Sequence, residues 1–183
     1  MNRAEATFSD GKKNVVGFAL TLLQRRLASS PAAICRSLER REARLQELLA
    51  GWKAHPERVE EYRRQWLEKR LGAEQELDGD EDEFLPEEAE GLEEDFVQSV
   101  TAARSVAELE SELAVLGDLV QQARQVSRSG NDSKWRSLSE LLQSKAPDGS
   151  PLMSSKLIIF TEHRDTLDYL KRRISTLCGN ARA

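Results

Sequence analysis

Apolar residues recur along much of the chain at spacings of three and four, the period of an amphipathic α-helix. The pattern is clearest after Ser105 and Glu108, whose spacing is typical of a helix-starting capping box. Its apolar stripe repeats in a heptad-like order and consists of Leu109, Leu113, Leu116, Val120 and Ala123. A coiled-coil dimer is the alternative use of such a stripe, but it spans fewer than three clear heptads, which favours packing within one chain.

A stripe of the same period predicts a helix over 12–29. Its members are Val16, Leu20, Leu23 and Leu27. This assignment places Arg25 and Arg26 on the side of the helix that faces away from the stripe. Because the two stripes share a period, we expect this helix and the one after Ser105 to pack as near-antiparallel partners.

Ser30 followed by Pro31 is typical of a helix start and predicts a second helix that runs to about Trp52. Its apolar face consists of Ile34, Leu38, Leu45, Leu49 and Trp52. Four arginines on the remaining surface predict a solvated basic face, with phosphate contact as the alternative; they are Arg36, Arg40, Arg41 and Arg44. The His55–Pro56 pair then marks a turn into a third helix of about fifteen residues.

A different pattern occurs over 157–160, where four apolar residues stand in a row. Such a run is typical of a strand that is buried on both faces, and the helical spacing that follows predicts a helix over 165–178. The expected fold is therefore mainly α, an elongated helical bundle or hairpin followed by a single βα unit. In open α/β sheets ligands bind beyond the carboxyl ends of strands, so the most site-like residues are 161–164. The chain offers no other convincing strand to pair with this one.

Changes in composition divide the chain into four regions. Residues 1–73 are helical and basic, while 74–95 are rich in Asp and Glu and contain no Lys or Arg. This acidic stretch repels itself and has few apolar anchors, which predicts a disordered or loosely helical linker. A long helical element is expected over 96–128, and the short helix and βα unit occupy 129–183.

The overall composition points to an elongated, soluble molecule. The 183 residues are 39% hydrophobic and 32% charged, which is lean for one compact core. The two cysteines, Cys35 and Cys178, have no metal-ligand spacing around them, which favours a reduced intracellular compartment. No run approaches the ~20 apolar residues that span a bilayer. We expect a cytoplasmic monomer without a membrane partner.

A resemblance to a known family is carried by three segments. Residues 156–170, KLIIFTEHRDTLDYL, resemble motif IV of Swi/Snf-like superfamily-two helicases, the first strand and helix of their second RecA-like lobe. Residues 131–142, NDSKWRSLSELL, resemble the helix that leads into that strand, and 17–31, GFALTLLQRRLASSP, resemble the segment that follows the first lobe. The resemblance implies that 1–73 follows the first helicase lobe and that 129–183 begins an incomplete second one.

This resemblance implies a fragment of an ATP-dependent DNA helicase or translocase that contributes inter-lobe and nucleic-acid-facing surface. The complete family protein binds ATP and magnesium, but the chain contains no G-x-x-x-x-G-K-[ST] loop, so we assign it no catalytic, cofactor or metal residue and expect no ATP hydrolysis by the chain alone. The expected nucleic-acid contacts are Thr161, His163, Arg164, Arg25 and Arg26. The alternative at this loop is that Glu162 or Asp165 caps the last helix and Arg164 pairs with a nearby acid.

The partners expected from this interpretation are DNA and the missing helicase lobes or another protein. A competing function is a helical protein–protein interaction module in which the βα element is vestigial.

Overall fold

The computed structural model describes residues 17–65, 86–101, 103–145 and 156–179. It is mainly helical, as the sequence predicts. The helices are α1 (17–29), α2 (Pro31–Ala54), α3 (59–65, entered through a 3-10 turn at Pro56–Arg58), α4 (Pro86–Ser99), α5 (Val106–Ser129), α6 (Ser133–Leu142) and α7 (Arg164–Leu177). Helix α2 is central, because it packs against α4, α5 and α7.

The predicted starts of α2 and α5 are confirmed by their capping residues. Ser30 and Ser105 each accept a hydrogen bond from the backbone N–H three residues later, at the starts of α2 and α5. Gly130 ends α5 in the left-handed region at φ 72°, which a glycine adopts without a Cβ clash. Asp132 then caps α6 by accepting the backbone N–H of Trp135. Neighbours within four residues thus determine where these helices begin and end.

The larger hydrophobic core lies between α2 and α5. Its buried members are Leu38, Leu45, Trp52, Ala103, Leu109, Leu116 and Val120. The predicted apolar face of α2 is confirmed, since Ile34 and Leu49 pack against the same cluster. The buried stripe of α5 lies against α2, and Leu23 of α1 packs against the same cluster, so the expected pairing of α5 with α1 stays a prediction.

A smaller core joins α1 to α4. It consists of Ala19, Leu22, Phe96, Val97 and Val100, and the rings of Phe18 and Phe96 meet edge to face with centroids 5.3 Å apart. The predicted face of α1 is therefore confirmed only at Leu23, which packs against both cores. Leu20 and Leu27 are exposed, whereas Arg26 is buried on the same side as Leu22. Val16 lies outside the described residues.

Of the two predicted alternatives for the acidic linker, α4 shows the helical one over 86–95, while 74–85 lies outside the described residues. The order of this helix has an electrostatic reason. Glu93 and Glu94 form salt bridges with arginines of α1 and α2, so the acidic side chains are neutralised by another part of the chain. The prediction of self-repulsion considered only the Asp and Glu residues of the segment and did not include these arginine partners.

The predicted βα unit is not seen. The helix is present as α7, but 156–161 form no strand, and no strand occurs among the described residues. All four apolar residues of the run are exposed, with Ile158 at 80% and Phe160 at 90%. A strand needs neighbouring strands to satisfy its backbone N–H and C=O groups, and the described part of the chain supplies none.

Candidate functional site

Two of the predicted nucleic-acid contacts, Arg25 and Arg26, are engaged in ion pairs between α1 and other elements. Arg26 is 1% exposed, and its Nη1 donates to Glu94 and, at 3.0 Å, to the hydroxyl of Ser37. Arg25 is partly exposed and pairs with Glu93 at 2.9 Å and with Glu162. The side chain of Arg26 is therefore enclosed in the fold, and that of Arg25 is shared between two carboxylates.

The other three predicted residues surround the start of α7. His163 is 2% exposed, with Nδ1 3.9 Å from Glu90 and Nε2 3.8 Å from Glu162. Thr161 is half-buried and Arg164 is exposed. The backbone N–H of Arg164 donates to Glu90 at 2.8 Å. Of the five residues, Thr161, Arg164 and part of Arg25 are accessible to a ligand.

A polar junction fastens α7 to the rest of the bundle. Arg40 of α2 donates to Glu94 of α4 at 2.6 Å and to Asp165 of α7 at 2.5 Å. The hydroxyl of Thr166 lies 2.7 Å from that of Ser29 and 2.8 Å from that of Ser30. These contacts join four helices and determine where α7 lies relative to α2.

The carboxylate of Glu94 is the centre of this junction. Burial by itself would raise the pKa of Glu94, but the hydrogen bond from Arg40, the charge of Arg26 and the hydrogen bond from Gln98 outweigh it. The pKa of Glu94 therefore lies below its usual range, so the group is ionised at neutral pH. An ionised Glu94 keeps α1, α2 and α4 in contact.

Between α7 and helices α2 and α5 lies a cavity of about 760 Å³, which we call the basic groove. Residues of α2, α5, α6 and α7 line it. Its arginines are Arg36, Arg124, Arg128, Arg172 and Arg173, and its aromatic residues are Trp135 and Tyr169. Glu39 is the acidic residue among the lining side chains. The groove therefore carries a strong positive charge.

Two of the five arginines have carboxylate partners in the described structure. Arg124 donates to Glu39 at 2.7 Å, and Arg36 lies 3.7 Å from Asp165. Within the described ranges, no carboxylate lies within 4 Å of the other three, Arg128, Arg172 and Arg173. A cluster of unneutralised arginines is a surface that attracts polyanions.

The aromatic residues of the groove are held in place. The guanidinium carbon of Arg173 lies 5.6 Å from the ring centroid of Trp135 and 5.3 Å from that of Tyr169. The hydroxyl of Tyr169 donates to Asp132 at 2.8 Å. Burial, together with the hydrogen bond to Asp132, raises the pKa of Tyr169 to about 12. Because Asp132 also caps α6, one carboxylate fixes both α6 and the Tyr169 ring.

Sequence reasoning singled out Arg36 but not the other four arginines of the groove. They come from separate helices, and nothing in the order of the chain indicates that these helices converge. Two local signals were present, namely the Arg124–Arg128 pair four residues apart and the adjacent Arg172 and Arg173. In the sequence alone, each pair looks like part of an ordinary solvated helix face, because the convergence of α5 and α7 is visible only in the structure.

No family model, curated protein or solved structure matches the chain. In the described ranges, no group of three or more His, Cys, Asp or Glu side chains is arranged to hold a metal ion. Nor is any described helix long and apolar enough to cross a bilayer. The basic groove is therefore the feature from which a function is argued.

Proposed function

We propose that the chain is part of a Swi/Snf-like ATP-dependent DNA helicase or translocase and contributes an inter-lobe, nucleic-acid-facing surface. The observation that supports this proposal is the basic groove, with five arginines and a single lining carboxylate. Arginine clusters bind nucleic-acid phosphates, since the guanidinium group donates two parallel hydrogen bonds to phosphate oxygens. In this proposal, the face of α7 that lines the groove is the part that faces the nucleic acid.

The groove extends the surface that the family resemblance implies. Arg164 and Thr161 lie at the start of α7, and Arg172 and Arg173 lie near its end. We propose Arg172 as the main phosphate-binding residue of α7. Arg164 and Thr161 remain proposed contacts at the other end of the helix. Arg26 and His163 take the role of supporting residues, because both are enclosed.

ATP and magnesium remain ligands that the resemblance implies for the complete family protein, and we propose none for this chain. Residues 156–161 would form their strand only beside the sheet of a complete second lobe. The exposure of Ile158 and Phe160 supports this part of the proposal, since both side chains lack cover. The isolated chain is expected to bind nucleic acid without hydrolysing ATP.

A direct test measures binding of a fluorescent DNA oligonucleotide by anisotropy across a salt series. Arg128→Ala combined with Arg172→Ala should weaken binding roughly 10-fold or more and reduce the salt slope by about 1 for each phosphate that the variant no longer neutralises. The matched control is Arg44→Ala combined with Arg58→Ala, two exposed arginines away from the groove. Equal effects of both double variants, or no binding at low salt, would overturn the proposal.

The second candidate function is a helical protein–protein interaction module, favoured by the exposed apolar run at 157–160. Exposed runs of this kind mark surfaces that a partner covers. The test is Ile159→Lys, followed by light scattering and solubility measurement of the isolated chain. Higher solubility with unchanged DNA affinity is expected if the run is a partner surface separate from the groove. Unchanged solubility would count against this candidate.

A further inference from the structure

We infer that the basic groove takes single-stranded nucleic acid, with an unpaired base stacked against the aromatic residues. This inference rests on the proposed function, because it specifies which nucleic acid the groove accepts. It is carried by the position of two half-buried aromatic rings, Trp135 and Tyr169, among the arginines.

The size and position of the groove favour a single strand over a duplex. A cavity of about 760 Å³ falls within the range of ~300–1,000 Å³ that is typical of sites for small ligands. Helices α2 and α5 line one side, α7 lines the other, and Trp135 comes from α6. A duplex presents its outer phosphates to such a groove while its bases remain paired and stacked. A single strand can insert both phosphates and a base.

The aromatic residues supply a stacking surface beside the cationic one. The guanidinium of Arg173 lies over both rings, and planar guanidinium groups and aromatic rings are the surfaces on which unpaired bases stack. The hydrogen bond from Tyr169 to Asp132 holds its ring in position before a ligand arrives. A preformed surface of this kind lowers the entropic cost of binding.

The arginines on the two sides of the groove have distinct roles in this arrangement. Arg128 on α5 and Arg172 on α7 have no carboxylate within 4 Å in the described part of the chain, so they are available to successive phosphates. Stacking accepts every base because each has a π face, and we therefore expect little sequence preference. The groove should thus discriminate by strandedness rather than by sequence.

The test compares one labelled oligonucleotide as a single strand and as a blunt duplex, at the same salt concentration and with the full chain. The wild type should bind the single strand roughly 10-fold more tightly. Trp135→Ala should weaken single-strand binding by roughly 5- to 150-fold, the equivalent of about 1–3 kcal/mol for one stacked base. The same variant should change duplex binding less than about 2-fold, and Trp135→Phe should restore most of the single-strand affinity.

The results separate this inference from the function on which it rests. If the wild type binds neither form, the proposed function and the inference both fail. If it binds the duplex as tightly as the single strand, the inference fails and the proposed function stands. The strandedness ratio of the wild type decides the matter even if Trp135→Ala does not fold, and circular dichroism of each variant identifies that case.

Discussion

The two sides of helix α2 are held by different forces. Toward α5, Leu38, Leu45 and Trp52 form a buried apolar interface. Toward α4 and α7, the contacts are charged and hydroxylic, with Arg40 bridging Glu94 and Asp165. The α5 side is mainly apolar, with ion pairs such as Arg124–Glu39 at its edge, whereas charged and hydroxyl groups make the contacts to α7.

The apolar contacts of α2 provide stability, and its polar contacts provide position. Apolar burial is non-directional and scales with the area removed from water, so the α2–α5 interface supplies most of the free energy. Ion pairs that are taken out of water roughly offset their own desolvation cost, but they require particular partners in particular places. The polar junction therefore positions α7, and with it one wall of the basic groove.

The largest expected effect comes from Leu45→Ala. Leu45 is completely buried between α2 and α5, so the substitution removes apolar packing and leaves a cavity. The free energy of unfolding should fall by about 2–5 kcal/mol, measured by urea denaturation. Leu119→Ala, on the exposed face of α5, is the matched control and should cost under about 1 kcal/mol. Equal decreases would contradict the assignment of the core to this interface.

A smaller decrease in the free energy of unfolding is expected for Arg26→Ala in the polar junction. The substitution removes one partner of Glu94, but Arg40 remains to neutralise it, so the cost should be roughly 1–3 kcal/mol. Arg26→Met combined with Glu94→Met should cost less than the sum of the two single substitutions, because no unpaired charge remains. Strict additivity in urea denaturation would show that Arg26 and Glu94 do not interact.

The pH dependence of stability sharpens the same comparison. The pKa of Glu94 is lowered in the folded protein, so its ionised form contributes stability that is present above the ordinary glutamate pKa. This contribution should disappear as the pH falls through the lowered value. The melting temperatures of wild type and Glu94→Gln should therefore converge in acid and diverge toward neutral pH. A difference in melting temperature that does not change with pH would contradict the stabilising role of the ionised Glu94.

The smallest expected effect lies on the alkaline side, at the contact between α6 and α7. The pKa of Tyr169 is raised to about 12, so its hydrogen bond to Asp132 contributes stability that is fully present below the ordinary value of ~10. That contribution should disappear as the pH rises through the raised value. The free energies of unfolding of wild type and Tyr169→Phe, measured by urea denaturation at increasing pH, should therefore differ at neutral pH. The difference should vanish as the pH rises through the raised pKa of Tyr169. Ionisation of Tyr169 at pH 10, followed by its ultraviolet absorbance, would rule out the contact.

The sequence predicted the caps of α2 and α5 and their apolar faces because both depend on residues close along the chain. Ser30 and Ser105 each accept from a backbone N–H three residues later, and the stripe of α5 repeats every three or four. Such features are present before any two helices meet. The same reasoning was right about Leu23 of α1 but wrong about Leu20 and Leu27, because it counted Arg26 as a surface residue and did not include its partner Glu94.

The tertiary structure alone decided the features that need partners distant in sequence. Helix α4 is stabilised by arginines of α1 and α2, and the basic groove exists only where α2, α5, α6 and α7 converge. The apolar run at 157–160 has the composition of a strand, yet composition cannot provide the neighbouring strand that its backbone requires. Local pattern determined the helices of this protein, and long-range electrostatics and pairing determined how they are arranged.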